Sequence, residues 1–339
     1  MKRKNNVVVS LKTGLRKYSI YVIMVLLFFV CALLNKNFLS VSNLTNILRQ
    51  ISVTTILAFG ETMLVIAGLI DLASGAVLAL AGVVSIAVFK STGSLWIAFL
   101  VGIGLGVLLN LLSGILVAYA KTPPFIATLA ITMVARGFAL LFTNGQNIYQ
   151  IGKYIIFGQG SLFGIPVPII FMLLMFILTW YILQNTRFGR SLYAIGGNEE
   201  AAVASGIRVT NVKFYIYLVN GVLVGLAGIL LMSRVNAGLP NAANGYEFEA
   251  LTATIIGGTS FSGGLGTATG TIAGAFIVGF LNNIMNLLGV NSYVQQIVKG
   301  IIIALAVAFD IAAKNRRSKP REIATETKSN VTVATKNVK

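Results

Sequence analysis

The sequence predicts an all-α polytopic membrane protein with about ten transmembrane helices, eight being the smaller alternative. Three observations predict it. Of 339 residues, 56% are hydrophobic and only 10% are charged, whereas soluble domains carry about 25% charged residues. The net charge of +17 is concentrated at the ends: 14 of the 26 Lys and Arg residues precede Tyr18 or follow Ala313. The apolar middle is long enough for roughly eight to ten spans of about 20 residues with short loops. So few charges cannot cover a water-facing surface. A soluble enzyme, a disordered chain and a nucleic-acid-binding protein are excluded as readings, and no nucleic-acid partner is expected. The expected organisation is a basic cytoplasmic tail over residues 1–17, a membrane domain over 18–313, and a basic, disordered tail over 314–339. That last tail is suited to lie near anionic lipid.

The spans follow from the apolar runs and their punctuation. The first covers about residues 18–34 and lacks a small-residue cleavage site, so it reads as a retained span. The second, 51–70, ends at the polar, small-residue break Asp71-Leu72-Ala73-Ser74-Gly75, and a short third covers 76–89. The fourth, 95–120, stops at Lys121-Thr122-Pro123-Pro124. The fifth, 125–143, precedes a polar loop with Asn144, Gly145, Gln146 and Asn147. The sixth, 165–183, leads into the longest internal charged segment, residues 185–213. The seventh covers 214–232. A short eighth, 248–256, runs into a glycine-rich turn at Ser262-Gly263-Gly264. The ninth and tenth cover 267–288 and 294–312. The third and eighth are short enough to be re-entrant.

Ten spans with both termini inside place 19 Lys and Arg in the cytoplasm and five outside, the bias that the positive-inside rule requires. Gly102, Gly104 and Gly106, and Gly221, Gly225 and Gly228, suit close helix packing. A role on a substrate path is the alternative. Cys31 is the only cysteine and His is absent, which removes an internal disulfide, a thiolate metal cluster, His-based zinc sites and the Ser-His-Asp triad.

Charge at membrane depth costs about 2.5–3.5 kcal/mol per residue on insertion scales, so Glu61, Asp71, Arg136, Lys299 and Asp310 each need a reason. On one continuous helix Glu61 and Asp71 would be about 15 Å apart in rise and would not pair. Asp71 sits at the break, where it either caps the next helix or pairs ionically, or meets the transported solute. Arg136 balances one of these carboxylates or snorkels, and Asp310 reads as structural. Asn110, Asn220, Asn282, Asn283 and Asn286 also lie in apolar stretches. Amides hydrogen-bond a polyol without a buried charge. Helix–helix hydrogen bonding is the plainer reading for them.

No catalytic constellation is present. The chain has no G-x-x-x-x-G-K-[ST] loop to cradle phosphates. In the charged segment, Asn198 is a good N-cap, Glu199 and Glu200 suit the positive end of a helix dipole, and Gly206 suits a C′ stop. This predicts a two-turn cytoplasmic helix over Asn198–Ser205, either solvated or docked on a partner.

These segments together resemble a known family over nearly the whole chain. The match runs through Gly68-Leu69-Ile70-Asp71-Leu72-Ala73-Ser74-Gly75, Pro124-Phe125-Ile126-Ala127-Thr128-Leu129 with Ala135-Arg136-Gly137, and Thr143-Asn144-Gly145. It continues through Gly196-Gly197-Asn198-Glu199-Glu200-Ala201-Ala202, Gly245-Tyr246-Glu247, Ile256-Gly257-Gly258-Thr259-Ser260 and Leu281-Asn282-Asn283 to Gln295-Gln296-Ile297-Val298-Lys299-Gly300. The chain resembles the membrane permease subunit of bacterial ABC importers of the ribose, xylose and arabinose type.

The resemblance implies a homodimer of permeases in the bacterial inner membrane, two ABC ATPase subunits and an extracytoplasmic sugar-binding protein. ATP and Mg would belong to the ATPase, with no cofactor and no enzymatic activity on this chain. Asn198, Glu199, Glu200, Ala201, Ala202, Ser205 and Gly206 would form the coupling helix seated on the ATPase. The loops near residues 144–153 and 234–249 would meet the binding protein. Where the family has Gly-Gly-Ile-Asp-Leu-Ser-Val-Gly, this chain has Leu69 at the second glycine and Ala73-Ser74 at Ser-Val. Val203-Ala204 stands where Arg-Leu is common. Relatives carry several pentoses and hexoses, autoinducer-2 and nucleosides, and branched-chain amino acids lie within the same superfamily. A stand-alone ion-coupled carrier built on Glu61 and Asp71 is the reading from a different class.

Overall fold

In the computed structural model, residues 19–318 are described, with side chains through residue 312. The expected tail over 1–17 lies outside the described residues, as does nearly all of the expected tail over 314–339. Its first residues, however, continue the last helix to Ser318.

The described chain is almost entirely helical. Each expected span has a helix: α1 (Ser19–Leu34), α2 (Val41–Ile66), α3 (Ser74–Thr92), α4 (Leu95–Ala118) and α5 (Pro124–Thr143). After a one-turn helix, α6 (Ile156–Gln159), and a small antiparallel hairpin of β1 (Ser161–Leu162) and β2 (Ile165–Pro166), come α7 (Val167–Asn185), α8 (Arg187–Gly197) and α9 (Glu199–Ala204). The chain ends in α10 (Val209–Arg234), α11 (Tyr246–Ile256), α12 (Ala268–Leu287) and α13 (Ser292–Ser318). Seven of these are long and apolar enough to cross a membrane: α3, α4, α5, α7, α10, α12 and α13. Helix α2 is long enough but too polar to meet that measure. It can be polar because every residue from 51 to 67 is buried inside the bundle. Helix α3, expected to be short, has 19 residues. Helix α11 stays short at 11 residues, about 16 Å of rise, roughly half a bilayer core.

Side-chain caps set several boundaries. Ser40 accepts from the Asn43 N–H at the start of α2, and Thr267 accepts from the Gly270 N–H at the start of α12. Pro124 opens α5, and Asn144 and Gly145 close it with left-handed φ of 50° and 72°. The glycine reading holds at the α4–α10 crossing. A Cβ on Gly106 would strike the Gly221 carbonyl, one on Gly225 would strike that of Gly102, and one on Gly228 that of Leu78 in α3. Gly104 is the exception, since it faces open space.

The charged segment 185–213 is more ordered than a single short helix. Before α9 it forms α8, whose apolar face buries Gly189, Leu192 and Ile195. Sequence reading missed α8 although Gly189, Leu192 and Ile195 fall on one face, because three glycines in 11 residues argue against a helix.

Candidate functional site

The two ends of the bundle are marked by α5, which starts at the Lys121–Pro124 turn and rises about 30 Å to Asn144. At the first end lie that turn and the α8–α9 segment. That turn, Gly68, Glu199 of α9 and Val209, Thr210 and Lys213 at the start of α10 line a cavity of about 480 Å³. At the other end, the loops after α5 and after α10 join through a reciprocal backbone pair. Ile148 N–H donates to the Gly238 carbonyl and Gly238 N–H to that of Ile148, both at 2.8 Å. The two loops expected to meet an external partner are therefore tied to each other.

Helix α9 is built as its sequence requires. Asn198 accepts from the Ala201 N–H at 2.9 Å, Glu199 and Glu200 occupy the first turn, and Gly206 has φ 82°. Ala202 is buried, and Lys213 of α10 pairs with Glu199 at 2.8 Å. Just before α9, Gly196 and Gly197 press against bare backbone. A Cβ on Gly196 would strike the Ile66 carbonyl at the end of α2, and one on Gly264 would press on Gly197. Gly264 N–H donates to that Ile66 carbonyl at 2.8 Å. Tyr193 of α8 donates to the Gly266 carbonyl at 2.9 Å. Burial pushes its phenol above the usual range, which keeps it a donor. The α8–α9 segment thus touches both breaks of the membrane domain, the one after α2 and the one between α11 and α12.

The first break brings Glu61 and Asp71 together, contrary to the continuous-helix expectation. Helix α2 stops at Ile66 and the chain reverses at Gly68, where φ is 74°. Asp71 N–H then donates to Glu61 Oε2 at 3.4 Å, and Ser74 Oγ lies 3.2 Å from Glu61 Oε1 and 2.9 Å from Asp71 Oδ2. Asp71 Oδ1 accepts from the Ala73 N–H at 2.8 Å, an Asx turn that leads into α3, whose N-cap Ala73 provides no side-chain cap. Asn220 Nδ2 reaches Asp71 Oδ2 at 2.7 Å and Asn110 Oδ1 at 3.0 Å. Two of the amides singled out in the sequence therefore belong to this cluster. Backbone carbonyls exposed by the break are met from neighbouring helices, Ile70 by Tyr217 and Leu72 by Thr132. This is the requirement for irregular backbone at membrane depth.

No cation balances the cluster among the described residues. The ion pairs there are Lys213–Glu199 and Lys299–Glu249. Arg136, expected to balance Glu61 or Asp71, instead donates to the carbonyls of Pro240 and Ala242 and to Asn244 Oδ1, and its charge faces Glu247. It fastens the loop after α10 and faces Glu247, although it stands one helical turn along α5 from Thr132, which meets the break itself. Asp310 is structural, accepting from Ser260 Oγ and Phe261 N–H at the second break.

The three amides of α12 separate. Asn283 exchanges two hydrogen bonds with Asn43, and the exposed Asn286 accepts from Gln295. Asn282 lines a cavity of about 350 Å³ between α11, α12 and α13, where its Nδ2 lies 3.4 Å from Glu249 Oε1. Lys299 Nζ bonds the same oxygen at 2.5 Å. Sequence reading had no role for Glu249, which it placed in an external loop. The available signal was an acid at the edge of a span with an unassigned lysine in another.

The chain matches the family model described as a branched-chain amino acid transport system / permease component over residues 43–307. That covers most of the chain. The protein belongs to this permease family. The permease is 43% identical over 288 residues to the ribose import permease protein RbsC of Bacillus subtilis, covering 84% of this chain and 89% of that one. To the Escherichia coli K12 ribose import permease protein it is 39% identical over 304 residues, 88% and 95% of the two chains. To the Escherichia coli L-arabinose transport system permease protein AraH it is 36% identical over 295 residues, 87% and 90%. No solved structure matches the permease.

Proposed function

We propose that the permease is the membrane subunit of a binding-protein-dependent importer of ribose or a similar monosaccharide, driven by ATP hydrolysis on a partner chain. Similarity along nearly the full length to ribose import permeases carries the reading. The chain has no phosphate-cradling loop of its own, which supports placing ATP and Mg on a separate ABC ATPase subunit. Two copies of the permease would stand side by side in the bacterial inner membrane, with both termini in the cytoplasm. Helix α9 would seat in a cleft of the ATPase. The Ile148–Gly238 surface would receive the sugar-loaded binding protein. ATP binding and hydrolysis would shift the bundle between outward-open and inward-open states, with α8 carrying the push to both breaks.

The test is the ATPase rate of the permease co-purified with its ATPase in lipid nanodiscs. A ribose-loaded binding protein is expected to raise the rate several-fold, and Glu200→Lys is expected to abolish that rise without changing membrane insertion. Normal stimulation of the Glu200→Lys complex removes the docking role of α9. The family description names amino acids, so a leucine-loaded binding protein belongs in the same experiment. Stimulation by leucine and not by ribose overturns the sugar reading.

A further inference from the structure

We infer that the cavity between α11, α12 and α13 is a monosaccharide contact site on the import route, where Glu249, Lys299 and Asn282 hydrogen-bond sugar hydroxyls. The inference rests on the sugar-import reading above. It names a place and a chemistry which that reading leaves open.

Charged side chains inside a membrane protein are costly and mark solute paths more often than packing surfaces. A structural tie between α11 and α13 is made more cheaply by apolar residues, because a partly buried ion pair returns little beyond its desolvation cost. The Glu249–Lys299 pair is also open to a ligand. The side chains are 12% and 32% exposed, and both line the cavity. The geometry leaves bonding capacity on each partner. Lys299 Nζ and Asn282 Nδ2 both approach Glu249 Oε1, and Oε2 receives no hydrogen bond among the described residues. An ammonium has three donors and this one makes a single bond here.

A vicinal diol matches that residue. One hydroxyl donates to the carboxylate, its neighbour accepts from the ammonium, and the ion pair stays intact. Charge-assisted bonds of this kind are the stronger class. An amino-acid zwitterion would have to split the pair, with its own carboxylate and ammonium each taking one half. The rest of the cavity is mixed, with Val278, Leu281, Met285 and Ile303 beside the polar groups. Gln296 and Asn282 supply amides, and the half-exposed Phe248 ring supplies an apolar face for the sugar's C–H groups. The volume of about 350 Å³ lies at the small end of the range for small-molecule sites, about 300–1,000 Å³.

The test uses the complete importer in proteoliposomes with ribose-loaded binding protein, reading ribose uptake and ATPase rate together. If the wild-type complex moves no ribose, the sugar reading fails and this inference falls with it. Given wild-type uptake, Glu249→Gln is expected to lower the uptake rate roughly tenfold, with assembly and stimulated ATPase retained. The charge swap, Glu249→Lys with Lys299→Glu, restores an ion pair across the same helices. It is expected to assemble and still to import poorly, because the donors and acceptors no longer face the diol as before. Wild-type uptake in either variant overturns the proposal. So does a Glu249→Gln complex that loses uptake and assembly in equal measure, since that is the signature of a purely structural pair.

Discussion

At the scale of single residues, the membrane interior of this permease handles charge in two ways. Glu249 is given a cation. Glu61 and Asp71 are given neutral donors instead: a serine hydroxyl, backbone N–H groups and the Asn220 amide. Asn220 has two partners on two other segments, so it ties α10 to both the first break and α4. Asn220→Ala removes both bonds and leaves Asp71 with one donor fewer in a fully buried setting. Interhelical bonds in membranes are worth about 0.6–2 kcal/mol each, so the variant is expected to lose roughly 1–3 kcal/mol. A thermal melt of the detergent-solubilised permease checks it, and an unchanged Tm would show that the amide is dispensable. The sequence pointed to Asn110, Asn220, Glu61 and Asp71, but not to Ser74. Serine is common in apolar helices, and here it stands at a position where the chain departs from the family pattern.

At the scale of elements, the decisive features are the two breaks and the segment that touches them. Glycine makes this possible. Gly196 and Gly264 bring three stretches of backbone within contact where any side chain would separate them. The expected consequence is specific to Gly196, whose Cβ would run into the Ile66 carbonyl. Gly196→Ala should push α8 away from the end of α2 and break the Gly264–Ile66 bond. Sugar uptake is then expected to fall several-fold more than the ATPase rate, because the ATPase would still dock on α9 while its motion reached the breaks poorly. A paired measurement of uptake and ATP hydrolysis reads this directly. Equal losses would assign Gly196 to folding alone. By contrast, the Lys213–Glu199 pair is half-exposed on its acidic side, and exposed pairs contribute about 0–1 kcal/mol. Its removal is expected to leave stability nearly unchanged.

At the scale of the whole molecule, burial is unevenly distributed. Helix α2 is enclosed for most of its length, while the apolar window of α13 has none of its residues buried. The apolar α3, α10 and α12 are also mostly buried, while α4, α5, α7 and α13 present most of their apolar surface outward, as expected of a bundle whose solvent is lipid. The proposed orientation is open to a labelling experiment. Cys31 is the only cysteine and is buried, so the native chain should give little background. A cysteine introduced at the exposed Asn147 is expected to react with a membrane-impermeant maleimide in intact cells. One at Ser191 is expected to react only after the membrane is opened. The reverse pattern would invert the topology.

The sequence by itself determined the class of this protein, its long apolar helices and its family. Those properties are written in composition, in apolar run length and in short motifs, all of them local along the chain. It also determined the α9 cap, because Asn198, Glu199 and Gly206 bracket a single short helix. Only the tertiary structure decided which polar residues meet. Glu61 and Asp71 share a serine because α2 ends and the chain folds back, which a continuous helix would forbid. Arg136 serves the loop after α10, although Thr132 one turn earlier on α5 meets the first break. Glu249 and Lys299, 50 residues apart in sequence, become partners because α11 is too short to span and α13 packs beside it. Side-chain partnership across helices depends on where each helix stops and how it is turned. In a bundle this apolar, almost any rotation satisfies the local pattern, so those choices are made by packing.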